Sequence, residues 1–125
     1  MEENRLAKIM VDICLDVHRQ LGPGLFEKAY EEVIFYECTR RHLQTERQKP
    51  IRINYNEVDI GPAYRADLLV EEKLLIEIKS VEELGKVHYR QVISYLKLGR
   101  FKLGLLVNFN VPLIKDGIHR IVNNL

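Results

Sequence analysis

The sequence predicts a single α/β domain, in which two helices precede three strands and a third helix precedes a fourth strand. Apolar residues recur at steps of three and four in residues 3–42 and 84–98, which is the spacing of amphipathic helices. Short apolar runs rich in Ile, Leu and Val occupy residues 64–80 and 102–109, and their length is typical of strands. The whole chain, residues 1–125, is long enough for one such domain and too short for two independent cores.

Two amphipathic helices are predicted at the N-terminus. In residues 3–21 the apolar side chains form one stripe, and Gly22-Pro23-Gly24 then ends the helix. The second helix is predicted from about Leu25 to His42, with Glu27 on the same stripe as the apolar Tyr30. A carboxylate on such a stripe is costly unless it is paired or metal-bound. A first-turn glutamate favoured by the helix dipole explains the same position equally well.

The middle of the chain is predicted to form three strands. In residues 51–55, apolar and polar side chains alternate, as in a strand with one solvated face. A turn-rich segment over residues 56–62, with at most a short strand in it, leads to a hairpin within residues 64–80. Glu71-Glu72-Lys73 is the predicted loop of this hairpin.

A third helix and two strands complete the predicted fold. Ser80-Val81-Glu82-Glu83 has the pattern of a capping box, which predicts that a helix begins there and continues to Gly99. Residues 102–109 are nearly all apolar and predict a strand that is covered on both faces. Residues 117–122 are expected to add a short edge strand.

Asp67, Glu77 and Lys79 are the strongest functional signal in the chain. Because strand side chains alternate, Glu77 and Lys79 point away from the face that takes Ile76 and Ile78. With a three-residue loop, residues whose numbers sum to 144 face each other, so Asp67 lies opposite Glu77. Two opposed carboxylates repel unless a hard divalent cation bridges them, and Lys79 could hold a phosphate or a water beside it. The alternative is a surface hairpin with a cross-strand salt bridge.

The third helix carries further polar candidates. Gln91 and Tyr95 are four residues apart and share one helix face, where both can form hydrogen bonds. The alternative is a helix that packs its tyrosine inward and leaves the glutamine at the rim. His88 is interpreted either as a substrate contact or general base, or as a structural histidine.

Basic residues cluster before the first strand and on the third helix. They form either an ordinary solvated surface or a set of phosphate contacts. These residues are Arg40, Arg41, Arg47, Lys49, Arg52, Lys86 and Arg90.

The overall composition sets few limits on function. The formal net charge of +1 neither supports nor excludes nucleic acid, because a basic groove can be offset by acidic surface elsewhere. Cys14 and Cys38 are expected to be buried thiols in a reducing compartment. The N-terminus shows neither a signal peptide nor a membrane span. We therefore expect a cytoplasmic protein with no membrane partner.

Several segments together form a pattern known from one protein family. They are, in chain order, Gly24-Leu25-Phe26-Glu27-Lys28-Ala29-Tyr30, Arg65-Ala66-Asp67-Leu68-Leu69-Val70, Ile76-Glu77-Ile78-Lys79, Gln91-x-x-x-Tyr95 and Gly104-Leu105-Leu106-Val107-Asn108-Phe109. This set resembles the GxxExxY family, a branch of the PD-(D/E)XK nuclease superfamily, over residues 5–122. Ala66 stands where the superfamily name has proline, which leaves Asp67 free to act as a ligand.

The resemblance implies a fold and a metal site. The fold is a restriction-endonuclease-like αβββαβ core with a mixed four-stranded sheet, preceded here by an extra N-terminal helix. Asp67 and Glu77 would bind Mg²⁺ or Mn²⁺, with the backbone carbonyl of Ile78 as a further ligand. Glu27 would complete the shell directly or through water, and Lys79 would orient or activate the attacking water.

The resemblance also implies substrate contacts. Gln91 and Tyr95 would position the metal shell or the substrate phosphate. We count Tyr30 of the naming motif and Arg90 of the third helix as further predicted substrate contacts.

The predicted function is hydrolysis of nucleic-acid phosphodiester bonds, with DNA favoured, by an endo- or exonuclease. Hard oxygen ligands and few histidines suit Mg²⁺ or Mn²⁺ better than Zn²⁺. The alternative is a non-catalytic nucleic-acid-binding or accessory module with the same fold. So small a chain offers little surface to grip DNA alone, which is why a homodimer or a larger complex is also considered.

Overall fold

The computed structural model describes the full chain, residues 1–125, and contains three α-helices and five strands. A single turn of 3-10 helix spans Ile114–Asp116. The main elements in chain order are α1 (Glu3–Leu21), α2 (Glu27–Arg40), β1 (Thr45–Tyr55), β2 (Val58–Val70), β3 (Leu74–Lys79), α3 (Lys86–Gly99), β4 (Leu103–Asn108) and β5 (Ile118–Val122).

The strands form one mixed sheet in the order β1-β2-β3-β4-β5. Only β3 and β4 are parallel, and α3 makes the crossover between them. One face of the sheet packs on α1 and α2 in the larger apolar core, and the other face packs on α3 in a smaller one. The predicted α/β class and mixed sheet are therefore confirmed. The sheet has five strands rather than four because the predicted edge strand pairs with β4.

The hairpin of β2 and β3 has the predicted register. Leu68 pairs with Ile76, and Val70 pairs with Leu74, so the numbers of facing residues sum to 144. The loop consists of residues 71–73, and its first two residues have positive φ angles of 52° and 56°. The apolar side chains at this end of β2 and β3 are fully buried, so the hairpin is central to the domain.

The third helix begins later than the capping-box pattern predicts. α3 starts at Lys86, where the ring Nδ1 of His88 accepts a hydrogen bond of 2.9 Å from the backbone N–H of Gly85. The Ser80 hydroxyl instead donates to the carbonyl of Leu25 at 2.6 Å. The serine that was predicted to cap α3 therefore closes the loop before α2, and His88 has a structural role at the start of α3.

The second strand is longer than predicted. Residues 56–62 were expected to be turn-rich, with at most a short strand around Val58 and Ile60; β2 does begin at Val58, but it continues without a break to Val70 and pairs with β1. The β1–β2 pairing shifts its register after Ile51 and after Ile53, where β2 has one extra residue each time, and β2 thereby passes Gly61 and Pro62 without losing its partner strand. Irregular pairing of this kind bends a hairpin and accommodates residues that fit poorly in a regular strand.

The remaining fold predictions also have clear outcomes. α1 has the predicted bounds, and every residue of β4 is buried, as expected for a strand covered on both faces. Cys14 and Cys38 are free and buried in the larger core. None of the helices combines the length and the apolar character that a bilayer crossing requires.

Candidate active site

Glu77 is a buried carboxyl in the middle of the sheet. Its side chain is 5% exposed, and its Oε1 atom is buried without any hydrogen-bond partner. Burial, and after it the neighbouring Asp67, raise the pKa of Glu77 to about 9, although the ammonium group of Lys79 acts in the opposite direction. A buried polar atom without a partner is rare in folded proteins and marks a place where a ligand can bind.

Asp67 is fastened to the strand that carries Glu77. Its Oδ2 atom accepts a hydrogen bond of 2.7 Å from the backbone N–H of Ile78. The regular pairing of β2 with β3 ends at Leu68 and Ile76, so the Asp67 carboxylate takes the place of the next backbone acceptor. The two carboxyl groups therefore lie close together at the point where the two strands separate.

A polar groove opens beside Asp67. It has a volume of about 700 Å³ and no apolar lining residue. Its walls are formed by Glu27, Lys28, Glu31, Glu32, Arg47, Gln48 and Asp67. Glu27 is the first residue of α2 and is exposed at this groove, so α2 and β2 each contribute one of the predicted site carboxylates to it.

The predicted carboxylates do not form a complete metal shell. No group of three His, Cys, Asp or Glu side chains lies close enough together to hold an ion. Asp67 lies between Glu27 and Glu77, because it neighbours Glu77 and also lines the groove that Glu27 faces. The donors present are carboxylate oxygens, which suit a hard divalent cation. The unpartnered Oε1 of Glu77 supplies a buried oxygen that such a cation would satisfy.

Glu31, which the sequence analysis did not single out, is the buried carboxylate of α2. It is 7% exposed and accepts hydrogen bonds from Arg47 at 3.0 and 3.2 Å and from Gln48 at 2.7 Å. The amide of Gln48 also donates to Asp67 at 3.3 Å, so Gln48 bridges α2 to β2. Glu27, predicted on the core-facing stripe, lies in contrast at the exposed start of the helix.

Two stacked tyrosines lie near the carboxyl pair. Tyr64 of β2 and Tyr95 of α3 stack with an angle of 19° between their ring planes. The Tyr64 hydroxyl is buried without a partner, and burial raises its pKa, as do the nearby Tyr95 and Glu77. Burial also raises the pKa of Tyr95, followed by the charges of Glu77 and Asp67. The inward-facing side of α3 thus brings Tyr95 near the carboxyl pair.

The other two candidates on α3 differ in exposure. Gln91 is half-buried and lies one helical turn before Tyr95, on the same side of α3. Arg90 is exposed to solvent and forms no ion pair.

Tyr30 belongs to the core rather than to an open surface. It is fully buried and stacks on Phe109, with ring centres 4.2 Å apart. Its hydroxyl donates to the carbonyl of Gly22 at 2.6 Å and accepts from the N–H of Leu25 at 3.2 Å. Because no part of Tyr30 is accessible, we leave it out of the proposed substrate-binding surface and assign it to holding the loop before α2.

The basic stretch before and within β1 is paired with acidic residues. Each of its five basic side chains lies within 4.0 Å of a carboxylate, so its charge is locally compensated. This pairing favours the interpretation of a solvated charged surface for Arg40, Arg41, Arg47, Lys49 and Arg52.

The chain matches one family model, described as the PD-(D/E)XK nuclease superfamily, over residues 4–121. The match covers nearly the whole chain, and the protein therefore belongs to this superfamily. Membership indicates a nuclease-type function and is consistent with the restriction-endonuclease-like fold. No curated protein and no solved structure matches the chain.

Proposed function

We propose that this protein is a Mg²⁺- or Mn²⁺-dependent nuclease that hydrolyses phosphodiester bonds in nucleic acid, with DNA favoured, and that it belongs to the GxxExxY branch of its superfamily. The observation that carries this proposal is the buried Glu77, whose unpartnered oxygen lies beside Asp67 at the end of the β2–β3 pairing. Two adjacent carboxyls in a nuclease-type fold suit a hard divalent cation such as Mg²⁺, which proteins usually bind through one or two carboxylates.

Asp67 and Glu77 are the proposed metal ligands, together with the backbone carbonyl of Ile78. Glu27 completes the shell from the rim of the groove, directly or through a water. Without a metal, Glu77 holds a proton at neutral pH because burial raises its pKa to about 9. Metal binding then requires the release of that proton. When bound, the metal lowers the pKa of a coordinated water and offsets negative charge at the phosphate.

Lys79 is the proposed partner of the attacking water. It is the last residue of β3, and its positive charge acts on Glu77. An ammonium group at this position can orient the water and stabilise charge that grows on the phosphate oxygens. Gln91 and Tyr95 approach from α3 and are proposed to position the substrate phosphate, with Arg90 as an outer contact.

Labelled DNA and RNA substrates, single- and double-stranded, incubated with Mg²⁺ or Mn²⁺ test this function. We expect cleavage by the wild-type protein and none by Asp67→Ala or Glu77→Ala. Glu83→Ala, which removes an exposed carboxylate from the loop before α3, is the control and should cleave normally. Cleavage that persists in both site variants would refute the assignment.

A non-catalytic nucleic-acid-binding or accessory module is the second candidate. The observation that favours it is the lack of a ready-made group of three metal-binding side chains. Calorimetric titration with Mg²⁺ or Mn²⁺ separates the two candidates, because only the nuclease requires a metal bound through Asp67 and Glu77.

Size-exclusion chromatography with light scattering tests whether the protein forms a homodimer or a larger complex. The two free buried thiols fit the reducing cytoplasm that we propose as its location.

A further inference from the structure

The near-neutral net charge conceals a strong separation of charge along the chain. Residues 84–115 contain six Lys or Arg residues and no Asp or Glu. The other 93 residues therefore carry thirteen basic and eighteen acidic side chains, a net charge of −5. The basic segment comprises α3, β4 and the connections that follow them.

The basic residues of this segment are free of ion pairs. All eight ion pairs of the protein join side chains between residues 16 and 59, which lie on α1, α2, β1 and β2 or, for Arg41, just after α2. The six unpaired basic side chains of the segment are all exposed. They are Lys86, Arg90, Lys97, Arg100, Lys102 and Lys115.

Four of these side chains form a basic line along α3 and just beyond its C-terminal end. Lys86, Arg90 and Lys97 are spaced by four and seven residues, so they share one helix face, with Ile93 between them. Arg100, the residue just after α3, has a left-handed backbone conformation and lines one groove with Lys97. From Lys86 to Arg100 this line is about 21 Å long at the helical rise. Measured along the axis of a duplex, that length corresponds to about six phosphates of one strand. The line is thus long enough to follow a nucleic-acid backbone.

The line ends in a basic groove at the C-terminal end of α3. This groove has a volume of about 480 Å³, and none of its lining residues is acidic. Its walls are formed by Lys97, Arg100, Phe101, Lys102, Asn123 and Asn124. The three cationic side chains and two side-chain amides around this concave surface can donate hydrogen bonds to phosphate oxygens. α3 therefore carries Tyr95 toward the carboxyl pair and an unpaired basic line on its outer side.

On the basis of the nuclease function proposed above, we propose that the outer side of α3 and the groove at its C-terminal end bind the phosphate backbone of nucleic acid beyond the bond that is cut. The charge of this surface is complementary to that of a phosphate backbone, because its basic side chains form no ion pairs over the length of several phosphates. A membrane surface fits less well, because Val92 and Leu96 are buried against the sheet and only three apolar side chains of α3, Val87, Ile93 and Leu98, are exposed.

The experiment compares two variants with equal change of net charge. Lys97→Gln/Arg100→Gln removes two charges from the proposed surface, and Arg5→Gln/Lys8→Gln removes two exposed, unpaired charges from α1 on the other face of the sheet. Binding of fluorescein-labelled 20-nucleotide DNA, single-stranded and duplex, is measured by anisotropy over a range of KCl concentrations. EDTA is present throughout, so binding is recorded without cleavage.

We expect Lys97→Gln/Arg100→Gln to bind at least about tenfold more weakly than wild type at low salt. The slope of log K against log[KCl] should become shallower by about 1.8 on duplex and about 1.4 on single strands, for two lost cation–phosphate contacts. Arg5→Gln/Lys8→Gln should stay within about twofold of wild type at 0.1 M KCl and above, since charges more than about 10 Å from the DNA are then largely screened.

Equal weakening by the two variants, or unchanged binding by Lys97→Gln/Arg100→Gln, would overturn the proposal. So would binding of phosphatidylserine vesicles, but not DNA, through these same residues. Failure of the nuclease function gives a different result, in which the DNA affinity depends on Lys97 and Arg100 and no substrate is cut when Mg²⁺ or Mn²⁺ replaces EDTA.

Discussion

Asp67 accepts the backbone N–H of Ile78 at 2.7 Å, so a carboxylate on β2 serves as part of the pairing with β3. This bond holds Asp67 beside the buried Glu77. The same side chain therefore has a structural contact and a proposed chemical role, and the two can be separated by the choice of substitution.

Asp67→Asn and Asp67→Ala should differ in stability and agree in activity. The asparagine oxygen can still accept the Ile78 N–H, whereas alanine leaves that donor without its acceptor. We expect urea denaturation to show a loss of about 1–3 kcal/mol for Asp67→Ala and a smaller loss for Asp67→Asn. Cleavage should fall at least about 100-fold in both variants, because both lose the negative charge. An active Asp67→Asn enzyme would show that the charge is dispensable.

The stability of the metal-free protein should fall as the pH rises from about 4.5 to about 9. Burial raises the pKa of Glu77 from 4.5 to about 9, so in this range the folded protein holds a proton that the unfolded chain releases. The free energy of unfolding should therefore decrease by up to about 1.4 kcal/mol per pH unit. The stabilisation that protonated Glu77 provides is fully present only below the pKa that Glu77 has in the unfolded chain. Glu77→Gln mimics the protonated form.

Urea denaturation in EDTA at several pH values between 6 and 8 measures this effect. Wild type should lose stability across the range, while Glu77→Gln should lose much less and should be the more stable protein at pH 8. Parallel curves for the two proteins would mean that Glu77 is ionised in the metal-free fold.

Tyr30→Phe should destabilise the protein by about 1–2 kcal/mol. The substitution keeps the ring that stacks on Phe109 and removes only the hydroxyl, which holds the carbonyl of Gly22 and the N–H of Leu25. Tyr36→Phe is the matched control, because Tyr36 lies on the same helix with 61% of its surface exposed. Equal stability of the two variants in urea would show that the hydroxyl contacts contribute little.

Gly104→Ala should displace α3 from the sheet. A methyl group at this position would lie 3.2 Å from side-chain atoms of both Val92 and Leu96, which is closer than carbon atoms normally pack. We expect a loss of about 1–3 kcal/mol from overpacking. Because α3 also carries Tyr95, near-ultraviolet circular dichroism should show a changed tyrosine signal. An unchanged spectrum and stability would mean that the Val92 and Leu96 side chains make room for the methyl group without a shift of α3.

The parts of the fold that depend on local pattern could be predicted from the sequence. α1 follows from its apolar spacing, and the register of the β2–β3 hairpin follows from the length of its loop. The same register arithmetic placed Asp67 opposite Glu77, and the structure brings the two carboxyls together. Each of these features is determined within about twenty consecutive residues.

The parts that depend on distant contacts could not be predicted in this way. Ser80 has the sequence context of a helix cap, but its hydroxyl binds Leu25, which is 55 residues away. Glu31 was missed because its partner Arg47 lies on another element. Gln48 could have been found from the β1–β2 pairing, in which residue numbers near this point sum to 115 and so bring Gln48 beside Asp67.

The hydroxyl of Tyr30 reaches back over slightly more than one helical turn to the loop that contains Gly24, where φ is +97°. An insertion or deletion of a single residue between these two positions would rotate the ring by about 100° around the helix axis. The Tyr30 ring would then no longer stack on Phe109, and the loop before α2 would lose the hydrogen bonds of the Tyr30 hydroxyl. The Glu27 side chain would also point in a different direction. The length of the Gly24–Tyr30 segment is therefore a physical requirement in itself, and point substitutions at the intervening exposed positions should be far better tolerated than any change of spacing.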